Sequence, residues 1–393
     1  MEFGPVPSRE EYPFWGSSHG GPSRSFKGRC DVRSAGGSKG EWYRMPGIGG
    51  VAHARIGLLG NPSDGYGGKA LACALSDFSA RVDLTQSRRL EVQPSSAEGF
   101  GFDSLVAADR HFLREGCQGG HRLIRAALRR FCLAHPGILS LPTDDPSLCF
   151  ELRYETDVPR QVGLAGSSAI VIAALRALAA WFERPLPPPR LAELALAAEF
   201  EELGIAGGPM DRLVQAHEGL LAMDLAVGDG DFPCRSLDPG LLPDFFIAWD
   251  PRGGEPSGIA HGDLRNRWRA GDPDVLAAIQ SYRRWVDAGI LCLENSDHAG
   301  FRTLVDRNFD LRTQIFSVTA VDRELVGLAR AEGAAAKLCG SGGAIVGLPA
   351  EQTDRDRLAE RFREAGFRFL EPAVALSPLS SPPGIRRVGE SSP

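Results

Sequence analysis

No run of about 18 apolar residues occurs in this chain of 393 residues, so no membrane-spanning helix is expected. The N-terminus also lacks the apolar core of a secretory signal peptide. Basic residues are not in excess. Lys and Arg total 44 against 50 Asp and Glu, and the net charge of −6 argues against a nonspecific nucleic-acid binder. No C-x-x-C pair is present, and the eight cysteines are scattered. Cys73, Cys132, Cys149 and Cys292 sit in apolar runs, which suits buried, reduced thiols and a cytoplasmic location. There is no H-E-x-x-H and no clustered His/Cys set to hold zinc. The G-x-x-x-x-G-K-[ST] of a P-loop enzyme is missing as well. One G-x-S-x-G match, at residues 36–40, has no strand before it and is set aside as a hydrolase elbow.

Glycine, by contrast, is plentiful at 47 residues, and it collects in three stations. The most informative is Pro159-Arg-Gln-Val-Gly-Leu-Ala-Gly-Ser-Ser-Ala169. A strand-like run at 147–154 leads in, and a helix-like run at 169–182 leads out. Glycines allow a backbone to approach an anion closely, and a helix start offers unpaired N–H groups. Two serine hydroxyls can reach a phosphate oxygen or a Mg²⁺. An ordinary Gly/Ser turn with a capping serine fits the same residues. The earlier station, Arg55-Ile-Gly-Leu-Leu-Gly-Asn-Pro-Ser-Asp64, delivers a cation and then a carboxylate at a strand end. A carboxylate there can take sugar hydroxyls, and Arg55 can neutralise phosphate; plain turn chemistry is the alternative. The last station is Lys337-Leu-Cys-Gly-Ser-Gly-Gly-Ala344, a nest of N–H groups or a tight hairpin loop. Between them, Glu199, Glu201 and Glu202 lie on a helix, followed by a Gly-Gly-Pro break and Asp211-Arg212. Asp211 reads as a helix cap, or as a base or charge-stabilising group in a pocket.

The ends differ from the middle. Residues 1–48 are rich in Gly, Ser, Pro and Arg and read as a flexible extension. Glu10, Glu11 and Asp31 interrupt the basic profile of a targeting peptide. Residues 377–393 read as a loose Ser/Pro tail. The folded region divides near 239–243 into an N-terminal unit, 49–238, and a C-terminal unit, 239–376, each α+β. Strands are expected at 51–59, over 69–92 with turns, and at 147–154, 219–225 and 245–249. Two more fall within 334–348. Helices are expected at 119–135, 190–203, 210–217, across 258–331 and at 353–365.

The three stations, in this order, resemble the GHMP kinase superfamily, whose middle motif has the form P-x-x-x-G-L-G-S-S-A. The resemblance covers about 50–375. A narrower one, to plant-type glucuronokinases, rests on R-x-G-L-L-G-N-P-S-D, P-R-Q-x-G-L-x-G-S-S-A-I-V, E-L-G-I-x-x-G-x-x-D-R, N-F-D-L-R at 308–312 and G-S-G-G-A. It implies a two-domain fold, ribosomal protein S5 domain 2-like at the N-terminus and ferredoxin-like at the C-terminus. It implies ATP and Mg²⁺ as cofactors and a small sugar acid, D-glucuronate, phosphorylated at its anomeric hydroxyl. Other sugars (galacturonate, galactose, arabinose, a heptose phosphate) and a non-catalytic sugar/ATP sensor are the alternatives. By the resemblance, Gly163, Leu164, Ala165, Gly166, Ser167, Ser168 and Ala169 wrap the triphosphate, with Ser168 the Mg²⁺ contact. Asp211 is the catalytic aspartate and Arg55 the first-motif cation. Asp64 holds the sugar, and Gly340, Ser341 and Gly342 shape its site. Some relatives carry the Mg²⁺ glutamate eleven residues before the aspartate. Phe200 stands there, so Glu199 or Glu202 takes the role. A sugar carboxylate calls for a guanidinium fork, and Arg212, Arg160 and Arg312 are the candidates. Oligomeric state is not legible.

Overall fold

The computed structural model describes residues 48–93, 101–142, 144–205, 207–226, 232–253 and 264–376. Most of the N-terminal extension, its motif at 36–40 and the tail lie outside the described residues. Two sheets organise the rest. The larger has seven strands in the order β4-β3-β5-β2-β6-β7, with β1 also paired to β2. Its members are β1 (Ile48–Leu59), β2 (Lys69–Gln86), β3 (Leu90–Gln93), β4 (Gly101–Phe102), β5 (Phe150–Thr156), β6 (Leu220–Asp224) and β7 (Cys234–Leu237). All pairings are antiparallel except β3 with β5.

The long strand β2 departs from expectation. The region expected as strands with turns begins with one strand of 18 residues, in which Ser76, Asp77 and Phe78 are absorbed as a bulge. Opposite β1 the register jumps from His53↔Ser79 to Ala54↔Leu75. A bulge bends a strand without ending it, so β2 pairs with β6 near its start and with β5 near its end. Among the described residues, five helices belong to this half: α1 (Leu105–Glu115), α2 (Arg122–Ala134), α3 (Gly166–Trp181), α4 (Pro188–Phe200) and α5 (Met210–His217). The first was not expected from the sequence. It is capped by Ser104, whose side chain accepts from the Ala107 N–H. Helix α3 lies on the sheet, where Val171, Ile172, Leu175 and Leu178 pack in one core with Ala52, Ala80, Val82 and Leu84. Each such side chain contributes about 1.5–3 kcal/mol by burial.

The smaller sheet is antiparallel, ordered β11-β8-β10-β9 from β8 (Phe246–Trp249), β9 (Ala334–Leu338), β10 (Ala344–Pro349) and β11 (Arg368–Leu370). In chain order that is fourth, first, third, second, the arrangement of a ferredoxin-like unit. Its helices are α6 (Pro273–Glu294), α7 (His298–Ile315), α8 (Ala320–Ala331) and α9 (Arg355–Glu364). Strand alternation splits its side chains. Phe246, Ala248 and Ile345 face a core with Phe309, Leu325 and Phe362. Ile247, Val346 and Ala335 join Ile56, Leu58 and Leu71 of the larger sheet. The end of β1 is therefore driven into the seam between the halves, carrying Arg55 and the turn to Asp64 with it. None of the described helices is long and apolar enough to cross a membrane.

Candidate active site

The serine loop does not end in a capping serine. Ala165, in the left-handed conformation at φ 61°, is the N-cap of α3 and makes no side-chain cap bond. That conformation costs a non-glycine residue about 1–2 kcal/mol. The serines, one turn in, donate elsewhere. Ser167 Oγ reaches Glu199 Oε1 and Ser168 Oγ reaches Glu199 Oε2, both at 2.7 Å. Glu199 comes from α4, is fully buried, and meets Arg212 Nε at 2.6 Å through the same Oε2. A buried carboxylate needs such a counter-charge and such donors. Glu201 and Glu202 point to another face of the chain: each pairs with Arg130 at 2.7 Å. Of the three glutamates, only Glu199 meets the serines.

Asp211 likewise is not a cap. The N-cap of α5 is Pro209, with no side-chain cap bond. Asp211 Oδ1 instead accepts from Arg55 Nε at 2.7 Å. The same guanidinium donates through Nη1 to the Gly163 carbonyl at 2.6 Å and to the Cys339 carbonyl at 3.3 Å. Arg55 therefore touches the aspartate helix, the serine loop and the last glycine station at once. The loops also touch each other directly. Gly163 has φ 73°, and a Cβ there would stand 2.7 Å from the Gly342 carbonyl oxygen. Only glycine meets both demands.

Asp64 lies near enough to Asp211 to feel its charge. Enclosure raises its pKa from 3.8 to about 6, and the Asp211 charge adds to the rise, while Arg55 and Arg212 oppose it. The segment after Gly207 closes against it. A Cβ on Gly208 would be 2.1 Å from Asp64 Oδ2, so the Gly-Gly-Pro break is a close approach of backbone to carboxylate. A mostly apolar cavity of about 50 Å³ adjoins Asp64, bordered by Phe200, Gly208, Pro209, Leu213 and Phe232.

The candidates for a sugar carboxylate fare differently. Arg212 is 3% exposed and already engaged with Glu199 and the Gly208 carbonyl. Arg312 is 2% exposed and donates to the Gly340 and Ser341 carbonyls. Both forks are thus committed to protein acceptors. Arg160 is exposed, and its charge acts on Tyr154. Gly340, Ser341 and Gly342 sit on the serine loop: a Cβ on Gly340 would be 2.4 Å from the Gly163 carbonyl oxygen. Sequence reasoning missed Lys337. It is buried, with Nζ donating to the Gly57 carbonyl and Asn61 Oδ1 at 2.6 Å and to the Leu338 carbonyl at 2.8 Å. Its burial lowers its pKa well below the usual lysine value. Placed three residues before Gly340 at the opening of the last station, it reads as a strand residue, so nothing local signals that role.

An enclosed aspartate, a paired aspartate and a serine loop thus converge where the halves meet. Family models match both halves, GHMP kinases N terminal domain at residues 122–219 and GHMP kinases C terminal at 290–367. The chain is 34% identical to Glucuronokinase 1 of Arabidopsis thaliana, over 83% of this chain and 92% of that protein. It belongs to the GHMP kinases. Probable glucuronokinase 2 of the same plant is 33% identical, over 86% of this chain and 94% of that protein. Among solved structures, mevalonate kinase of Methanococcus jannaschii superposes with a TM-score of 0.65 at 17% identity, covering 86% of this chain and 100% of that one. Galactokinase of Lactococcus lactis, complexed with galactose, gives 0.65 at 14% identity, covering 84% and 94%. These share the two-domain fold. As a GHMP kinase of the sugar-kinase kind, the chain is a phosphotransferase with an alcohol group as acceptor and ATP as phosphate donor.

Proposed function

We propose that the chain transfers the γ-phosphoryl group of ATP to the anomeric 1-hydroxyl of D-glucuronate, giving glucuronate 1-phosphate. The observation that carries the reading is the Arg55–Asp211 pair at 2.7 Å, which Arg55 also joins to the serine loop through the Gly163 carbonyl. The likeness to the Arabidopsis glucuronokinases over nearly their whole length supports the choice of sugar.

In this reading the acceptor oxygen forms a bond to the γ-phosphorus as the bond to the bridging oxygen of ADP breaks. Such transfer needs positioning and charge neutralisation more than covalent chemistry. Asp64 accepts hydrogen bonds from the sugar hydroxyls and sets the ring against Asp211. Asp211 takes the hydrogen bond of the 1-hydroxyl and then its proton. Arg55 fixes Asp211 through Oδ1 and, through Gly163, fixes the loop that holds the phosphates. Residues Gly163 to Ala169 wrap the triphosphate at the start of α3, where the first helical N–H groups, up to that of Ser168, face it; the Ala169 N–H is taken by the Ala165 carbonyl at 3.0 Å. Glu199 and Ser168 are hard oxygen donors that fit a Mg²⁺, an ion held by one or two carboxylates together with substrate phosphates. When bound there, it would offset phosphate charge during transfer. Gly340, Ser341 and Gly342 back the serine loop from the other half of the chain.

The test is ADP release with ATP and Mg²⁺ against D-glucuronate, D-galacturonate, D-galactose and L-arabinose. Selective turnover of glucuronate, with an acid-labile phosphate product, is expected. Turnover of neutral sugars only would discard the substrate. Tight binding of ATP and glucuronate with no ADP release would replace the enzyme by a sensor.

A further inference from the structure

The stretch Asn308-Phe309-Asp310-Leu311-Arg312 has no role in the chemistry above, yet it touches both sides of the cleft. Asn308 and Arg312 are one turn apart on α7 and share a face. Asn308 is fully buried. Its Oδ1 accepts from the Gly60 N–H at 2.8 Å, and its Nδ2 donates to the Asn61 carbonyl at 2.9 Å. Asn61 is further held by Lys337 through its Oδ1. The turn that carries Asp64 is thus gripped where it leaves β1. Arg312 reaches the last glycine station instead, with Nη1 on the Gly340 carbonyl and Nη2 on the Ser341 carbonyl, both at 2.8 Å. Its guanidinium rests on the Phe316 ring, 4.6 Å from the centroid. The residues between turn away: Phe309 joins the core beneath the smaller sheet, and Asp310 pairs with Arg330.

We propose that Asn308 and Arg312 are positioning residues, and that one turn of α7 sets the separation between the acceptor side and the phosphate side of the cleft. The two grips hold segments from different sheets that also meet directly, through Asn61 Nδ2 on the Leu338 carbonyl and Lys337 Nζ on Asn61 Oδ1, and the helix turn adds a second tie from outside that contact. A helix turn of about 5.4 Å, packed rigidly, is a fixed gauge between them. The inference rests on the roles proposed for Asp64 and the glycine station, not on the identity of the sugar.

The test uses the full chain with Asn308→Ala and Arg312→Lys. Read-outs are kcat, the sugar KM, the Kd of a non-hydrolysable ATP analogue and the melting temperature. Asn308→Ala frees the Asp64 turn. It is expected to raise the sugar KM about tenfold and change the analogue Kd by less than about twofold. Lysine keeps the charge of Arg312 but cannot span two carbonyls. Arg312→Lys is expected to lower kcat tenfold or more, since small misplacements cost up to about 10²-fold, with the sugar KM little changed. Asn308→Ser, which keeps one partner for Gly60, stands in if the alanine variant does not fold, and its KM should fall between. If every constant falls together and follows the melting temperature, the two side chains are merely structural and the proposal is overturned. Unchanged constants in both variants overturn it equally. The substrate panel on the unaltered chain is run first, and the split is read on whichever sugar is accepted. A wrong sugar therefore overturns the substrate reading alone, and a missing split overturns the positioning alone.

Discussion

Replacing Asp64 by asparagine separates what its charge does for a substrate from what that charge costs the fold. In the folded chain its pKa rises from 3.8 to about 6, through enclosure first and the neighbouring Asp211 second. The folded state thus binds this proton more tightly than the unfolded one does. Above pH 6 both states are ionised, and the folded state carries a penalty. The rise of about 2 corresponds to about 3 kcal/mol at 1.36 kcal/mol for each tenfold. As pH falls through 6 the carboxyl takes up its proton and the penalty fades, and near pH 4 it is gone. Asparagine has the same shape and no charge. The Asp64→Asn chain is therefore expected to be more stable than the unaltered chain at pH 8, by up to about 3 kcal/mol, with the gap closing towards pH 4. Denaturant melts at pH 8, 6 and 4.5 measure it. The same variant should lose kcat/KM for the sugar at every pH, while the unaltered chain shows an acid limb near pH 6. A stability gap that does not change with pH, or an acid limb that survives in Asp64→Asn, would refute the reasoning.

Asp211→Asn keeps shape and removes the proton acceptor. Single-turnover rates should fall by about 10²–10⁴, the range of a general base, while titration of an ATP analogue gives an affinity within about threefold of the original. Glu199→Gln strips the buried Arg212 of its counter-charge. Denaturant melts should show a loss of about 3–5 kcal/mol, and isothermal titration a weaker Mg²⁺ dependence of nucleotide binding; an unchanged melt would show that Arg212 finds another partner.

What the sequence revealed and what it hid follow from the range of the forces involved. The glycine stations were legible because close approach and left-handed backbone demand glycine locally, as at Gly163. Both ends of α5 and the C-terminal end of β1 were legible from periodicity and breaks, whereas α4, expected at 190–203, runs Pro188–Phe200. The choice among Glu199, Glu201 and Glu202 was not, because it depends on which face of α4 meets α3 and which meets Arg130 on α2. Arg212 looked available for substrate because a guanidinium fork matches a carboxylate. One step along a helix turns a side chain by about 100°, and Arg212 faces Glu199. Asn308 and Lys337 act across more than 240 residues of chain, on the Gly60 N–H and Asn61. Partners so distant leave no mark in local pattern. The bulge in β2 is similar, since it shows only where β1 is seen to run past it.

The direct contact of Gly163 with Gly342, backbone on backbone, bears on how this chain can diverge. Neither loop can gain a side chain or a residue without the other giving way, and Arg55 ties the aspartate helix into the same constraint. These segments can change only in concert, so they should drift slowly and together. Phe200, Leu213 and Phe232 border the neighbouring cavity beside Asp64. Variation that widens or narrows the range of acceptors has its room in that wall, where one substitution alters a surface and leaves the phosphate-handling frame as it was.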